Sequence, residues 1–212
     1  MKQIETFVYK EKIYNVEITR KRMKNIRYRL ADNTFKISAP YLATHRSIMS
    51  GLNKFADRLI ASQKPKASGN DFIYIFGYRY FFSNNGGEIN FSNGQKLKYS
   101  SLDDFEKKMK KIFLPIVTER VRYFEHLMNL KPHNVRVRKM TSRYGSNSKR
   151  THTVTFALKL YSYSVDILDA IVVHELSHTV VFNHSKAFYD VVFKYCPNYK
   201  VLHNKLRKGE FL

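Results

Sequence analysis

The 212-residue sequence predicts an α+β fold, with an antiparallel, β-rich N-terminal region carrying one helix and a mixed region that ends in helices. Three observations predict it. Residues 34–38 alternate, with Phe35 and Ile37 on one face, and residues 13–18 and 26–30 have similar strand-like content. Apolar residues recur at helical spacing over 44–62 and again from 101 towards 130. From residue 165 onward the chain reads as helices divided by short breaks.

The elements follow in order. Asp32-Asn33 makes a turn between the strands at 26–30 and 34–38, and Pro40 closes that hairpin. The first helix carries Ile48, Leu52, Phe55, Leu59 and Ile60 on one stripe, and Thr44 can cap its start. Residues 64–70 are the expected linker between a region at 1–64 and a core at 71–212, unless the two form one continuous domain. Residues 72–76 and 79–82 flank Gly77-Tyr78 as a hairpin. Asn84-Asn85-Gly86-Gly87 and Asn93-Gly94 mark further turns. Phe105, Met109, Ile112, Phe113, Ile116, Phe124 and Leu127 form the apolar stripe of the long helix at 101–130, and Pro115 predicts a kink or break in it. Strands at 135–140 and 152–158 are separated by the polar stretch 142–150. Helices at 165–182, 186–195 and 199–207 complete the chain, with Pro197 between the last two.

Composition narrows the classes of function. Hydrophobic residues make up 43%, which excludes a disordered tail. No run approaches the ~18 apolar residues of a membrane span, so membrane insertion is not expected. The N-terminus has no apolar signal region and Cys196 is the one cysteine, so a reducing cytoplasm is the expected compartment. The net charge of +21 suits anionic partners such as nucleic acid, or a solvated basic surface.

One stretch carries chemistry. His174, Glu175 and His178 stand in the apolar run Val172-Val173-His174-Glu175-Leu176-Ser177-His178-Thr179-Val180-Val181. A buried glutamate is costly unless something compensates it. On a helix, residues four apart share a face, so both imidazoles can reach one zinc ion at ~2.0–2.1 Å. Glu175, next to the first ligand, is placed to act as general base on a water molecule. Eight His and nine Glu in this length would give His-Glu-x-x-His by chance about 0.01 times. His184, just past the expected helix end, is the third candidate ligand; Ser185 can cap the next helix, and Glu210 is an alternative ligand. Three histidines leave a coordination position open, as in catalytic sites.

At these residues the sequence resembles the YgjP-like metallopeptidase family, related to the WLM and SprT-like metalloproteases of the zincin group. The family pattern of His-Glu-x-x-His, five residues, then His-Ser and an aromatic falls on His174, Glu175, His178, His184, Ser185 and Phe188. Its Pro-x-Tyr is matched by Pro197-Asn198-Tyr199. Ser142-Arg143-Tyr144-Gly145-Ser146-Asn147 resembles its Ser-Arg-Trp-Gly-Ser-Cys, with Tyr144 for Trp and Asn147 for Cys. Thr155-Phe156-Ala157-Leu158 lacks the asparagine usual there. Arg22, Lys24, Ile26, Arg27, Leu30 and Phe35-Lys36-Ile37-Ser38-Ala39-Pro40 are similar to its basic strand and Ser-x-Pro ending. The resemblance implies a compact zincin-like metalloprotease core, in which an edge strand can align an extended peptide; residues 152–158 are the candidate, or else an ordinary core-facing strand.

Further candidates are weighed beside these. Arg143 or Tyr144 could stabilise an oxyanion or simply pack, and His152 could line the cleft or lie on the surface. Two basic sets, Arg20-Lys21-Arg22 with Lys24, Arg27 and Arg29, and Arg136, Arg138, Lys139, Arg143, Lys149 and Arg150, could make sequence-independent nucleic-acid contacts. No helix-turn-helix, zinc finger or RNA-binding signature accompanies them. The sequence reads best as a zinc-dependent hydrolase of peptide bonds. A metal-dependent hydrolase of nucleotides or other phosphorylated small molecules is the alternative, as is a nucleic-acid-associated protein with a zinc site.

Overall fold

The computed structural model describes residues 2–31, 33–61, 67–69 and 71–212. Residues 64–66 and 70 of the expected linker, and Asp32 of the expected turn, lie outside them. The chain divides into two compact units, Met1–Lys64 and Pro65–Leu212.

The first unit is a four-stranded sheet with one helix packed on it. Its strands are β1 (Lys2–Tyr9), β2 (Lys12–Lys21), β3 (Arg27–Ala31) and β4 (Thr34–Pro40), in the order β1-β2-β4-β3. β1 with β2 and β3 with β4 are antiparallel, whereas β2 runs parallel to β4. Strand alternation sends Tyr14, Val16 and Ile18 of β2, and Phe35, Ile37 and Ala39 of β4, to one face. Helix α1 (His45–Ala61) covers that face with Ile48, Leu52 and Ala56. Complete burial of Ile48 and Leu52 contributes roughly 1.5–3 kcal/mol each. Thr44 accepts the Ser47 N–H at 3.2 Å, the cap expected of it. Gly51 lets α1 approach β3, because a Cβ there would stand 2.0 Å from Tyr28 Oη. β1 escapes the sequence reading because Ile4 and Val8 face solvent and only Phe7 enters the core.

The second unit starts with two hairpins, β5 (Phe72–Ile75) with β6 (Tyr78–Phe81) and β7 (Gly87–Asn90) with β8 (Lys96–Tyr99). Helix α2 (Leu102–Leu127) follows, with Ser101 Oγ accepting the Asp104 N–H. It runs unbroken through Pro115, which lies on the exposed side. The expected break does not occur: Phe113, Val117 and Val121 are wholly buried on either side of the missing N–H, and their packing holds the helix together.

A three-stranded sheet then forms from β9 (Asn134–Arg138), β10 (Gly145–Ser148) and β11 (Thr153–Ala157), in the order β10-β11-β9. This corrects the sequence reading. The strand at 152–158 is central, paired parallel to β9 and antiparallel to β10, so it offers no free edge. The edge beside the histidines belongs to β10, inside the stretch 142–150 that reads as a polar connection. A 3₁₀ turn (Leu158–Ser162) leads into α3 (Val165–Val180), α4 (Lys186–Tyr195) and α5 (Tyr199–Lys208). α3 packs against α2, α4, α5 and β10. Ile167, Leu168, Ile171, Val172, Val173 and Leu176 are buried around it, so this helix is apolar on nearly every side. Asp169 of α3 accepts two hydrogen bonds from Arg120 of α2, at 2.7 and 2.6 Å.

Candidate metal centre

Helical spacing on α3 brings the His174 and His178 rings 5.0 Å apart, centroid to centroid. The helix ends at Val180, two residues before the expected end, and the chain returns to carry His184 into the same place. Its ring lies 5.1 Å from that of His174 and 4.8 Å from that of His178. One nitrogen from each of the three lies within 4.8 Å of the others. His174 Nε2 and His184 Nε2 are 3.2 Å apart.

The remaining nitrogens explain why the rings converge. His174 Nδ1 is 2.8 Å from the hydroxyl of Tyr199, at the start of α5. His178 Nδ1 is 3.0 Å from the Phe182 carbonyl, so it carries the proton and donates. Each contact orients a ring and leaves Nε2 facing the cluster, as second-layer partners do for metal-binding imidazoles. Phe188, wholly buried, packs its ring 4.6–5.0 Å from all three imidazoles and forms the wall behind them. Burial, then the neighbouring histidines, hold His174 down at about 3, so it is a neutral donor. Burial likewise lowers His178. Three converging imidazoles without a thiolate make a donor set that fits a transition metal.

Glu175 is 6% exposed, on the side of α3 facing β10. Burial pushes its carboxyl up to about 7, and the Arg143 guanidinium draws it back in part. β10 passes so close that a Cβ on Gly145 would stand 2.4 Å from Glu175 Oε1 and 2.6 Å from its Cγ. Only glycine permits that approach. Asn147, on the same face of β10, donates from Nδ2 to the Glu175 carbonyl at 2.7 Å and to Thr179 Oγ1 at 2.9 Å. A cleft of about 200 Å³ opens over these groups, lined by Arg143, Tyr144, Gly145, His174, Glu175 and Tyr199 among others.

A family model described as "YgjP-like, metallopeptidase domain" matches residues 24–209. The chain belongs to the YgjP-like metallopeptidase family. Two solved structures are similar over part of it. The metallopeptidase zymogen of Pyrococcus abyssi abylysin shares 21% identity, with a TM-score of 0.40, over 42% of this chain and 90% of that one. The metallopeptidase zymogen of Methanocaldococcus jannaschii jannalysin shares 20%, with a TM-score of 0.37, over 42% and 96%. No curated protein matches the chain.

In this YgjP-like chain the other sequence candidates separate. Arg143 and Tyr144 line the cleft with Glu175. The Tyr144 hydroxyl is 3.3 Å from that of Tyr163, and the Lys159 ammonium lies 4.3 Å over its ring. His152 does not join the cleft lining: it sits before β11 at φ +47 and stacks on His133 at 3.9 Å. Glu210 does not join the histidines either, and pairs with Lys208 at 3.6 Å. Ser185 stands at the α4 cap position without a side-chain cap bond.

Sequence reasoning missed the roles of Tyr199, Gly145 and Asn147, although all three lie in quoted family motifs. It also missed a buried polar chain behind α3. Glu125 accepts the His133 N–H at 2.7 Å, contacts His133 Nδ1 at 2.8 Å and pairs with Arg122. His133 Nε2 then meets Thr179 Oγ1 at 3.0 Å, which joins the chain to Asn147.

Proposed function

We propose that this chain is a zinc-dependent metallopeptidase in which His174, His178 and His184 hold the metal and Glu175 is the general base. The observation that carries the reading is the convergence of three imidazole nitrogens beside a buried carboxyl. Zinc suits an all-imidazole set, and when bound it supplies Lewis acidity that polarises a scissile carbonyl and acidifies water. The chain's own groups do the rest. The Phe182 carbonyl fixes the His178 tautomer, with Nδ1 protonated and Nε2 free, and the Tyr199 hydroxyl orients the His174 ring through its Nδ1. Glu175 takes a proton from the attacking water at a carboxylate oxygen and passes it to the departing amine. Its position near 7 suits both halves of that transfer. Arg143, at the mouth of the cleft, is placed to meet the carbonyl oxygen of the substrate. An extended peptide lying along β10 would bring its backbone past Glu175. The test is hydrolysis of casein and a mixed peptide library by zinc-loaded wild type and by Glu175→Gln. Turnover in the first and none in the second supports the reading; equal turnover in both ends it.

A second reading concerns the first unit. The sheet face opposite α1 carries Lys21, Arg27, Arg29 and Lys36 around a depression of about 330 Å³, with Glu17 beside them. Arg29 and Glu17 flank Lys36 in register on its two neighbouring strands, so four cations share this depression with one carboxylate. This face suits the phosphates of nucleic acid, without sequence preference. Binding to a mixed-sequence duplex that weakens steeply with salt, and weakens further in Arg27→Ala/Arg29→Ala, supports it. Salt-independent or absent binding rejects it.

A further inference from the structure

Beside the cleft lies a second cavity that the catalytic reading does not use. It holds about 400 Å³ and is lined by Arg138, Lys139, Thr141, Arg143, Ser146 and Thr155, among others. Arg143 lines both cavities, so the two meet at its guanidinium. Lys139 is already paired with Asp103 and Glu106. Arg138 and Arg143 are exposed and have no carboxylate within salt-bridge distance among the described residues. Glu175 acts on Arg143 from the cleft side, but no carboxylate among the described residues lines this cavity, so an anionic group placed there would be held between the two guanidiniums by forked, charge-assisted hydrogen bonds.

The strand geometry says where such a group comes from. Among the described residues β10 is paired only to β11, so its other side offers backbone groups to an incoming strand. Gly145 and Asn147 point to α3, and Ser146 points to the opposite face with Thr155, its partner in register. Thr155 in turn pairs with Arg136, so Arg138 two residues on shares that face. A peptide added along β10 alternates in the same way. Side chains on one side meet Glu175 and the histidines, and those on the other meet Arg138, Arg143 and Ser146.

Resting on the metallopeptidase reading, we propose that this cavity is a specificity subsite for an acidic side chain of the substrate, an Asp or Glu one strand position from the scissile bond. The enzyme then selects extended, acidic peptides. The test scans one Glu, and in parallel one Gln or Lys, through an otherwise neutral fluorescein-labelled peptide. Binding is read by anisotropy on zinc-loaded Glu175→Gln, and cleavage on wild type. The expected result is about tenfold tighter binding of Glu over Gln at one register position. Arg138→Ala should remove most of that preference and leave cleavage of the neutral peptide unchanged, and Arg138→Glu should transfer the preference to Lys. Equal binding of the Glu and Gln peptides at every position would overturn the subsite. So would a Glu preference that survives in Arg138→Ala. Cleavage without acidic preference overturns the subsite and leaves the peptidase reading standing. Arg138-dependent binding of acidic peptides without any cleavage does the reverse.

Discussion

Glu175 is costly to bury, and what surrounds it shows why the chain retains it. The carboxyl sits under β10, close to neutrality in its titration, with Gly145 pressed against its side chain. Glu175→Gln keeps the shape and removes the base, so zinc content should be unchanged while turnover falls at least ~100-fold in a peptidase assay. Gly145→Ala puts a methyl where the carboxylate lies; kcat should fall sharply while zinc content stays at the wild-type level. Tyr199→Phe removes the partner of His174 Nδ1, and chelator competition should show zinc held about 10–100-fold less tightly. His174, Glu175 and His178 are legible in the sequence because their geometry is local: one helical turn sets it. Tyr199 and Gly145 are not, because they meet α3 from strands and helices whose placement no local pattern encodes. The motif containing each is visible; the contact it makes is not.

At the scale of elements, α3 is fixed in place by polar groups as well as apolar ones. Glu125 and His133 are both 2% exposed, and Thr179 and Asn147 link them to the Glu175 carbonyl. His133→Ala removes the imidazole that links Glu125 to Thr179, while Arg122 and the residue-133 N–H still hold the Glu125 carboxyl. Unfolding in urea should show a loss of about 1–3 kcal/mol, more than for a surface histidine such as His126. The long, strongly periodic helices and the strands with alternating apolar residues are legible from sequence, α1 and α4 nearly to the residue. β10 is not. Gly145-Ser146-Asn147-Ser148 has no β-branched or aromatic residue, and it is a strand only because β11 supplies partners and α3 requires a small residue against Glu175. Pro115 does not break α2, since tertiary packing of the helix outweighs the local cost of the missing N–H.

At the scale of the molecule, the family match takes in β3, β4 and α1 of the first unit and nearly all of the second, from residue 24 to residue 209. Among the described residues no helix is long and apolar enough to cross a membrane. The second unit holds its one thiol against titration. Burial, with Asp169 and Asp166 adding to it, pushes Cys196 up to about 11. An unfolded thiol ionises near ~8.5, so the folded state binds the proton more tightly. The associated stability is fully present below that value and is lost as pH rises towards 11. Thermal melts should hold steady from pH 7 to 8 and fall progressively above pH 9, more steeply than in Cys196→Ala. If His174 and His178 of α3 and His184 after it hold one metal ion, as proposed, elemental analysis of zinc-supplied, desalted protein should show it. About one zinc per chain is expected in wild type and in Glu175→Gln, and none in His178→Ala. A full equivalent retained by His178→Ala, or no transition metal in wild type, would contradict it.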